Sequence, residues 1–248
     1  MGSVYTMKGA GIIRVRAYGL GGGWRDVGNC SEIDIGLAED KKTLKNFRTP
    51  GGGNYKVATV NGDMTLSLTM SDFYAANLAL ALKGSTTAVA AGSATDEQHK
   101  GDWGLEIAVD YQVGISSVVV KDVTGVTTYT EGTDYTLQPD GSILILSTGT
   151  IGDGDMLKIS YSYVAHNRVE ALTESGSDLE VKFVGYNTAE ADKPITVIFH
   201  KVRFGVSDKY PLITEDFNKL TVKGELQLDE TITGAGLSQF FKVQQAEA

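Results

Sequence analysis

The chain has 248 residues, of which 42% are hydrophobic and 21% charged, enough for one large hydrophobic core or two smaller ones. Its net charge of −9 argues against general binding of nucleic acid, because phosphate contacts need clustered lysine and arginine. The N-terminus lacks a signal-peptide pattern and no apolar run reaches the roughly 18 residues of a membrane-spanning helix, so we expect no membrane insertion.

The first third of the chain contains two glycine-rich stretches, residues 19–24 and 50–54. Trp24 replaces the third glycine of a dinucleotide-binding fingerprint, and neither stretch is followed by a helix or by the Lys-Ser/Thr of a phosphate-binding loop, so both are predicted to be turns. Between them, residues 36–59 are polar and charged with little periodicity. They predict a long exposed loop or hairpin, and connections of that length are usually functional or disordered.

A strand followed at once by a helix is predicted next. Residues 64–70 alternate apolar and polar side chains, the pattern of a strand with one buried face. The following alanines and leucines predict a helix that begins at Ser71 or Asp72, which can cap it, and ends at Gly84 in a left-handed conformation.

Residues 88–101 are small and polar and are typical of a linker. Beyond them, apolar runs separated by turns at 139–141 and 152–155 predict a compact set of strands over about 102–165. We therefore predict an inserted β-module at residues 99–166, and one discontinuous domain formed by residues 1–98 and 167–248.

The last third again alternates, at residues 195–200 and 222–228, where Leu228 is predicted to share a buried face with Val222 and Asp229 to point the opposite way. The predicted fold is mostly β, with one α-helix.

No recognisable catalytic or metal-binding motif is present. The three histidines show no triad-like order, there is no Gly-x-Ser-x-Gly elbow, and the single cysteine, Cys30, has no context of a thiol nucleophile. Neighbouring carboxylates in strands point to opposite faces. We expect no enzyme activity, no cofactor and no bound metal.

Five segments together resemble the major tail tube proteins of long-tailed (siphovirus-type) bacteriophages. They are the strand at 64–70, the helix at 72–84, and three segments resembling the closing strands of that family, 195–202, 212–217 and 220–226. The resemblance covers most of residues 1–90 and 167–248.

The resemblance implies a tail-tube-like β-sandwich or barrel with one flanking helix, in a virion tail protein that assembles in the host cytoplasm. Its partners would be copies of itself, in stacked hexameric rings, together with tape-measure, tail-tip and tail-terminator proteins. DNA would pass through the tube without specific binding, and the inserted module would lie on the exterior.

Two sets of residues follow from these implications. The candidate lumen-lining residues are Asp63, Glu225 and Asp229. Family members use a long early loop to reach the next ring, and the span 36–59 matches it in position. The candidate inter-ring residues are Lys41, Lys42, Lys45, Phe47 and Arg48.

Two alternatives stay open. One is a tube protein of a contractile tail or secretion apparatus. The other is a monomeric two-module β-protein that binds carbohydrate, for which Trp24, Trp103 and exposed tyrosines would have to form a stacking platform.

Overall fold

A computed structural model of the chain describes residues 6–246. The fold is mostly β, with several antiparallel sheets and one helix among these residues, as the alternating sequence predicts. In chain order, the elements are β1 (Gly9–Ala17), β2 (Arg25–Asp26), β3 (Cys30–Gly36), β4 (Glu39–Lys45), β5 (Asn54–Asn61), β6 (Thr65–Met70), α1 (Ala75–Leu82), β7 (Ser85–Val89), β8 (Gly92–Gly101), β9 (Glu106–Ile107), β10 (Ser116–Asp122), β11 (Tyr135–Leu137), β12 (Ile143–Ile145), β13 (Asp155–Tyr163), β14 (His166–Glu170), β15 (Asp178–Asn187), β16 (Lys193–Phe204), β17 (Leu220–Leu226) and β18 (Phe241–Gln245).

The chain divides into two compact units. Unit 1 combines residues 1–86 with 169–248, and unit 2 consists of residues 87–168. The inserted module predicted from the sequence spans residues 99–166, so its predicted boundaries lie at 98/99 and 166/167. The prediction that residues 88–101 form a linker was wrong, because ten of them form β8, which pairs with β13. A partner strand distant in sequence overrides the linker-like composition.

Unit 1 is built on an eight-stranded sheet. Seven strands follow the order β2-β1-β15-β16-β17-β6-β3, and the eighth, β18, pairs with β16. The long strand β16 pairs with β15 along one edge. On its other edge it pairs with β18 through residues 195–199 and with β17 through residues 202–204. The two ends of the sheet are β3 and the short strand β2.

The alternation of the central strands sets the core of unit 1. Leu66, Leu68 and Met70 of β6 are fully buried, whereas Ser67 between them is not. Val222 of β17 and Phe199 of β16 belong to the same hydrophobic cluster. Period-two patterns therefore identified the buried face of these strands correctly.

The alternation fails after residue 226, where β17 ends. Leu228 is half exposed, and Asp229 is buried at 7% exposure, the reverse of the predicted pattern. The chain leaves the strand geometry there, and the Asp229 backbone N–H donates to the Gln239 carbonyl. Residues 212–217, through which the resemblance connects two closing strands, form an irregular loop.

The helix is shorter than predicted and its caps differ. It begins at Ala75, and the extended residue before it, Tyr74, makes no side-chain cap. Asp72, one of the two predicted caps, instead accepts the backbone N–H of Asn29 with its carboxylate at 2.7 Å. Its last residue is Leu82, and the residue that follows, Lys83, adopts the left-handed conformation predicted for Gly84. Glycine is needed at position 84 for space, because a Cβ there would lie 2.3 Å from the Glu170 carbonyl oxygen.

Unit 2 contains two three-stranded antiparallel sheets, β10-β13-β8 and β11-β12-β9. Its own hydrophobic cluster includes Val120, Tyr135, Ile143 and Leu157. The predicted turn at 152–155 is present, with Gly154 at a φ of 85°. Strands β7 and β14 form a separate two-stranded sheet.

Candidate assembly surfaces

The polar span 36–59 forms a β-hairpin, the second of the two forms predicted for it. Strands β4 and β5 pair from Glu39 with Asn61 to Lys45 with Asn54, and residues 46–53 connect them. Every residue of both strands is exposed, so both faces of the hairpin are open to solvent. An isolated two-stranded hairpin is marginally stable in water, and no residue of these two strands is buried among the described residues.

The hairpin carries a surplus of positive charge. Between residues 41 and 62 there is no acidic side chain, and among residues 6–246 none of the cations of this segment makes an ion pair. The Lys45 ammonium instead donates to the Asn54 amide oxygen at 2.9 Å. These cations are Lys41, Lys42, Lys45, Arg48 and Lys56. A chain with a net charge of −9 thus has one unpaired cationic element.

Large apolar side chains accompany these cations. Phe47 is 86% exposed and Tyr55 is 65% exposed, and Leu44, Val57 and Val60 are about half exposed or more. The candidate inter-ring residues predicted from the sequence include Phe47 and four of the cations. They omit Lys56 and the other four apolar residues, which are spaced among charged residues. Exposed apolar groups clustered on one segment are a feature of protein-binding surfaces.

The hairpin continues the edge of the sheet in unit 1. Strand β3 pairs with β6 up to Gly36 and Thr65, and the β4–β5 ladder resumes at Glu39 and Asn61. The Gly62 backbone N–H donates to the Ala38 carbonyl at 2.9 Å and keeps the two strands together at this junction. A seven-residue strand extends about 24 Å, so the hairpin reaches well beyond the end of β3.

A cleft separates the two incomplete edges of the same sheet. Strand β3 is the last strand on its side, and β2 covers only Arg14 and Val15 of β1, so Gly9–Ile12 have no strand beside them on that edge among the described residues. The cleft between β1 and β3 has a volume of about 530 Å³. Unpaired strand edges are templates for the addition of another strand.

The floor of the cleft is apolar. The Phe183 ring lies over Gly11 and Gly185, which face each other in the β1–β15 ladder. A Cβ on Gly11 would lie 2.5 Å from the Gly185 Cα and 2.8 Å from the Phe183 ring. Val197 and Phe199 complete the floor. The glycines are thus required for the ring to cover the sheet at this point.

The rim of the cleft on β3 is acidic. Glu32 and Asp34 are exposed, occupy alternate positions of β3 and make no ion pair among residues 6–246. Cys30, at the start of the strand, also lines the cleft. Burial raises the pKa of its thiol to about 11, so it is protonated at neutral pH.

The three candidate lumen-lining residues differ in environment. Asp63, between β5 and β6, and Glu225, on β17, are exposed. Asp229 accepts the Tyr18 hydroxyl at 2.8 Å and the Thr231 hydroxyl at 2.6 Å. Burial alone would raise the pKa of Asp229, but these hydrogen bonds outweigh it and lower that pKa. Asp229 therefore acts as an internal hydrogen-bond acceptor and not as a surface charge.

A second exposed apolar segment was missed by sequence analysis. In the loop that precedes β17, Ile213 is 96% exposed and Phe217 is 95% exposed, and Leu212 is also mostly exposed. Residues 212–217 were identified only as the segment that leads from one closing strand to the next, and nothing in their sequence signals the exposure of these side chains.

The two tryptophans have different surroundings. In unit 1, the Trp24 ring is contacted by Arg16, whose guanidinium carbon lies 4.5 Å from the ring centroid, and by Lys182 at 5.5 Å. In unit 2, the Trp103 ring is 46% exposed, and its indole N–H donates to the Ile151 carbonyl at 2.7 Å. Trp103 thus has the exposure that a sugar-stacking platform requires.

The best-connected polar network lies in unit 2. One Glu97 oxygen lies 2.5 Å from His99 Nε2, and the other accepts the Tyr161 hydroxyl at 2.6 Å. The network joins β8 to β13. Within residues 6–246, no group of three or more His, Cys, Asp or Glu side chains is arranged to hold a metal ion. In the same part of the chain, no helix has the length and apolarity to cross a membrane.

Comparison with known proteins gives one family. The sequence model of the family described as "Protein of unknown function UCP028589" matches residues 5–244. Comparison with curated proteins gave no match. Because the match extends over nearly the whole sequence, the chain belongs to the family described as protein of unknown function UCP028589.

Proposed function

We propose that this protein is the tube subunit of a phage tail, which assembles with copies of itself into stacked rings and has no catalytic role. The observation that carries the proposal is the β4–β5 hairpin, exposed on both faces and rich in cations that have no ion-pair partner within residues 6–246. A subunit that stays monomeric gains nothing from such a segment. A subunit that stacks needs an element that reaches the next copy.

The open sheet edges support the same proposal. Lateral pairing between copies would cover the outer edge of β3, which otherwise remains a site for uncontrolled aggregation. The exposed carboxylates Asp63 and Glu225 stay candidates for the lumen, where negative charge would keep passing DNA from binding. In this proposal, assembly takes place in the host cytoplasm, with tape-measure, tail-tip and terminator proteins as further partners.

The test is negative-stain electron microscopy of the purified protein over a concentration series, with light scattering for the mass. Hollow rings or tubes are expected. A particle that stays monomeric at all concentrations contradicts the proposal. The same hairpin would serve the tube of a contractile tail or a secretion apparatus, and the axial repeat and symmetry of the tubes, compared with tubes of each class, separate these alternatives.

Trp103 favours a second candidate function, carbohydrate binding by unit 2. Its ring is held by the hydrogen bond to Ile151 and half exposed, which suits stacking against a sugar ring. A glycan array with the wild-type protein and Trp103→Ala tests it: saturable binding that the substitution abolishes supports this function, and no binding to any glycan removes it.

A further inference from the structure

We infer that the cleft between β1 and β3 is the acceptor site for the β4–β5 hairpin of a second copy of this chain. The inference rests on the proposed function, because it names the surface through which one tube subunit holds the next. It commits to one occupant, a cationic two-stranded segment identical to the chain's own hairpin.

The cleft is shaped for a strand. Its two walls, β3 and the first residues of β1, have free backbone edges, and an added strand would hydrogen bond to either one. Its floor offers Phe183, Val197 and Phe199 to apolar side chains of that strand. The hairpin presents Leu44 and Val57 on opposite faces, so either face brings an apolar side chain to the floor.

Charge complementarity selects the occupant. The rim of the cleft carries Glu32 and Asp34, and the hairpin carries five cations and, from residue 41 onward, no acid. Neither set has an ion-pair partner in its own chain among residues 6–246. The other exposed apolar segment, the loop with Ile213 and Phe217, contains Glu215 and Asp216 and would meet the acidic rim with like charges.

The hairpin does not fill the cleft of its own chain. Strand β3 continues into β4, so the hairpin extends past the end of the cleft wall, and all strand residues of the hairpin are exposed. A donor on one copy and a different acceptor on the next form a head-to-tail contact. When the contact is not returned within the same pair, it repeats from copy to copy and generates a ring or an open stack.

Cysteine cross-linking tests this contact directly. Since Cys30 is the single cysteine, Cys30→Ser gives a background without thiols. A donor chain that carries Phe47→Cys is mixed with a differently tagged acceptor chain that carries Ser31→Cys in β3. The mixture is then oxidised mildly. We expect donor–acceptor disulfides, read on a non-reducing gel whether or not tubes form. The control acceptor carries Ile213→Cys, which is at least as accessible.

Charge reversal is the second measurement. Glu32→Lys with Asp34→Lys should raise the concentration needed for assembly by about tenfold or more. Adding Lys41→Glu and Lys42→Glu to the same chain should restore assembly. Glu215→Lys with Asp216→Lys, the matched control, changes the net charge equally and should have no such effect.

The outcomes separate the two proposals. Wild-type tubes, combined with unchanged assembly of the rim variant and no cross-link above the Ile213→Cys control, overturn the cleft as acceptor and leave the tube function intact. Monomeric wild-type protein that gives no cross-link at any concentration overturns both.

Discussion

Removing the hairpin should separate folding from assembly. The perturbation replaces residues 39–61 with Asn-Gly, which joins Ala38 to Gly62 by a two-residue turn. The Gly62 N–H to Ala38 carbonyl bond, 2.9 Å long in the native chain, is the bond that closes such a turn. The deleted segment carries five cations and two acids, so the net charge falls by three from −9.

The expected change in the free energy of unfolding follows from the exposure of the hairpin residues. No strand residue of the hairpin is buried, and its cations make no ion pair in the described chain, so the core of unit 1 keeps all its contacts. We expect the free energy of unfolding to change by less than about 1 kcal/mol, as for surface changes in general. With a urea slope of about 2 kcal/mol per molar, the midpoint moves by less than about 0.5 M.

Assembly, unlike folding, should be lost when the hairpin is removed. Without the donor, tubes should be absent even at about 100-fold the wild-type threshold concentration, a loss of about 2.7 kcal/mol or more. Urea unfolding followed by circular dichroism checks the fold, and electron microscopy checks assembly. Normal tubes from the deletion variant would refute the assembly role. A loss of more than about 3 kcal/mol in unfolding free energy would refute the premise that the hairpin packs against nothing in its own chain.

Three further predictions concern stability, each measured by urea unfolding. Asn77→Ala should cost about 3 kcal/mol, because the buried amide donates to the Val27 and Asp72 carbonyls at 2.7 and 2.9 Å and accepts from Arg25 at 2.7 Å; a cost under 1 kcal/mol contradicts this. Leu68→Ala, in the fully buried row of β6, should cost about 3 kcal/mol, whereas Val126→Ser at an 84% exposed site should cost less than about 0.5 kcal/mol. Asp229, whose pKa is lowered in the folded state, contributes stability above the ordinary aspartate pKa of about 4 that is lost as the pH falls through the folded value; Asp229→Asn should therefore be destabilising at pH 7 and approach wild type under strongly acidic conditions, and an equal deficit at every pH contradicts the linkage.

The strands could be predicted wherever one face is buried and the other is not. Residues 64–70 show this, because Leu66 and Leu68 are fully buried and Ser67 between them is not, although Thr69 is buried as well. Strand β8 could not be predicted, since Gly92–Gly101 has no apolar face and exists because β13 supplies a ladder. Asp229 was placed on the wrong face because no sequence signal shows that β17 ends three residues earlier.

The hairpin and the cleft also differ in how far the sequence predicts them. The hairpin is a single continuous segment, so its charge and its lack of periodicity were visible in the sequence. The cleft is formed by β1 and β3 together with β15 and β16, and roughly 150 positions of the chain separate Ile35 of β3 from Phe183 of β15. Its acidic rim is only two residues, Glu32 and Asp34, and nothing local distinguishes them from ordinary surface charges.

Charge explains why a donor and a separate acceptor suit this chain. Copies with a net charge of −9 repel one another, so a contact between two identical acidic patches would be unfavourable. Concentrating five cations on a segment with only two acids, Glu39 and Asp40, gives each copy one element that the acidic surface of another copy attracts. Because the attracting surfaces are different, each copy added head to tail leaves a free hairpin or a free cleft for the next one. In the proposed assembly, the same charge distribution both overcomes the repulsion and sets the direction of growth.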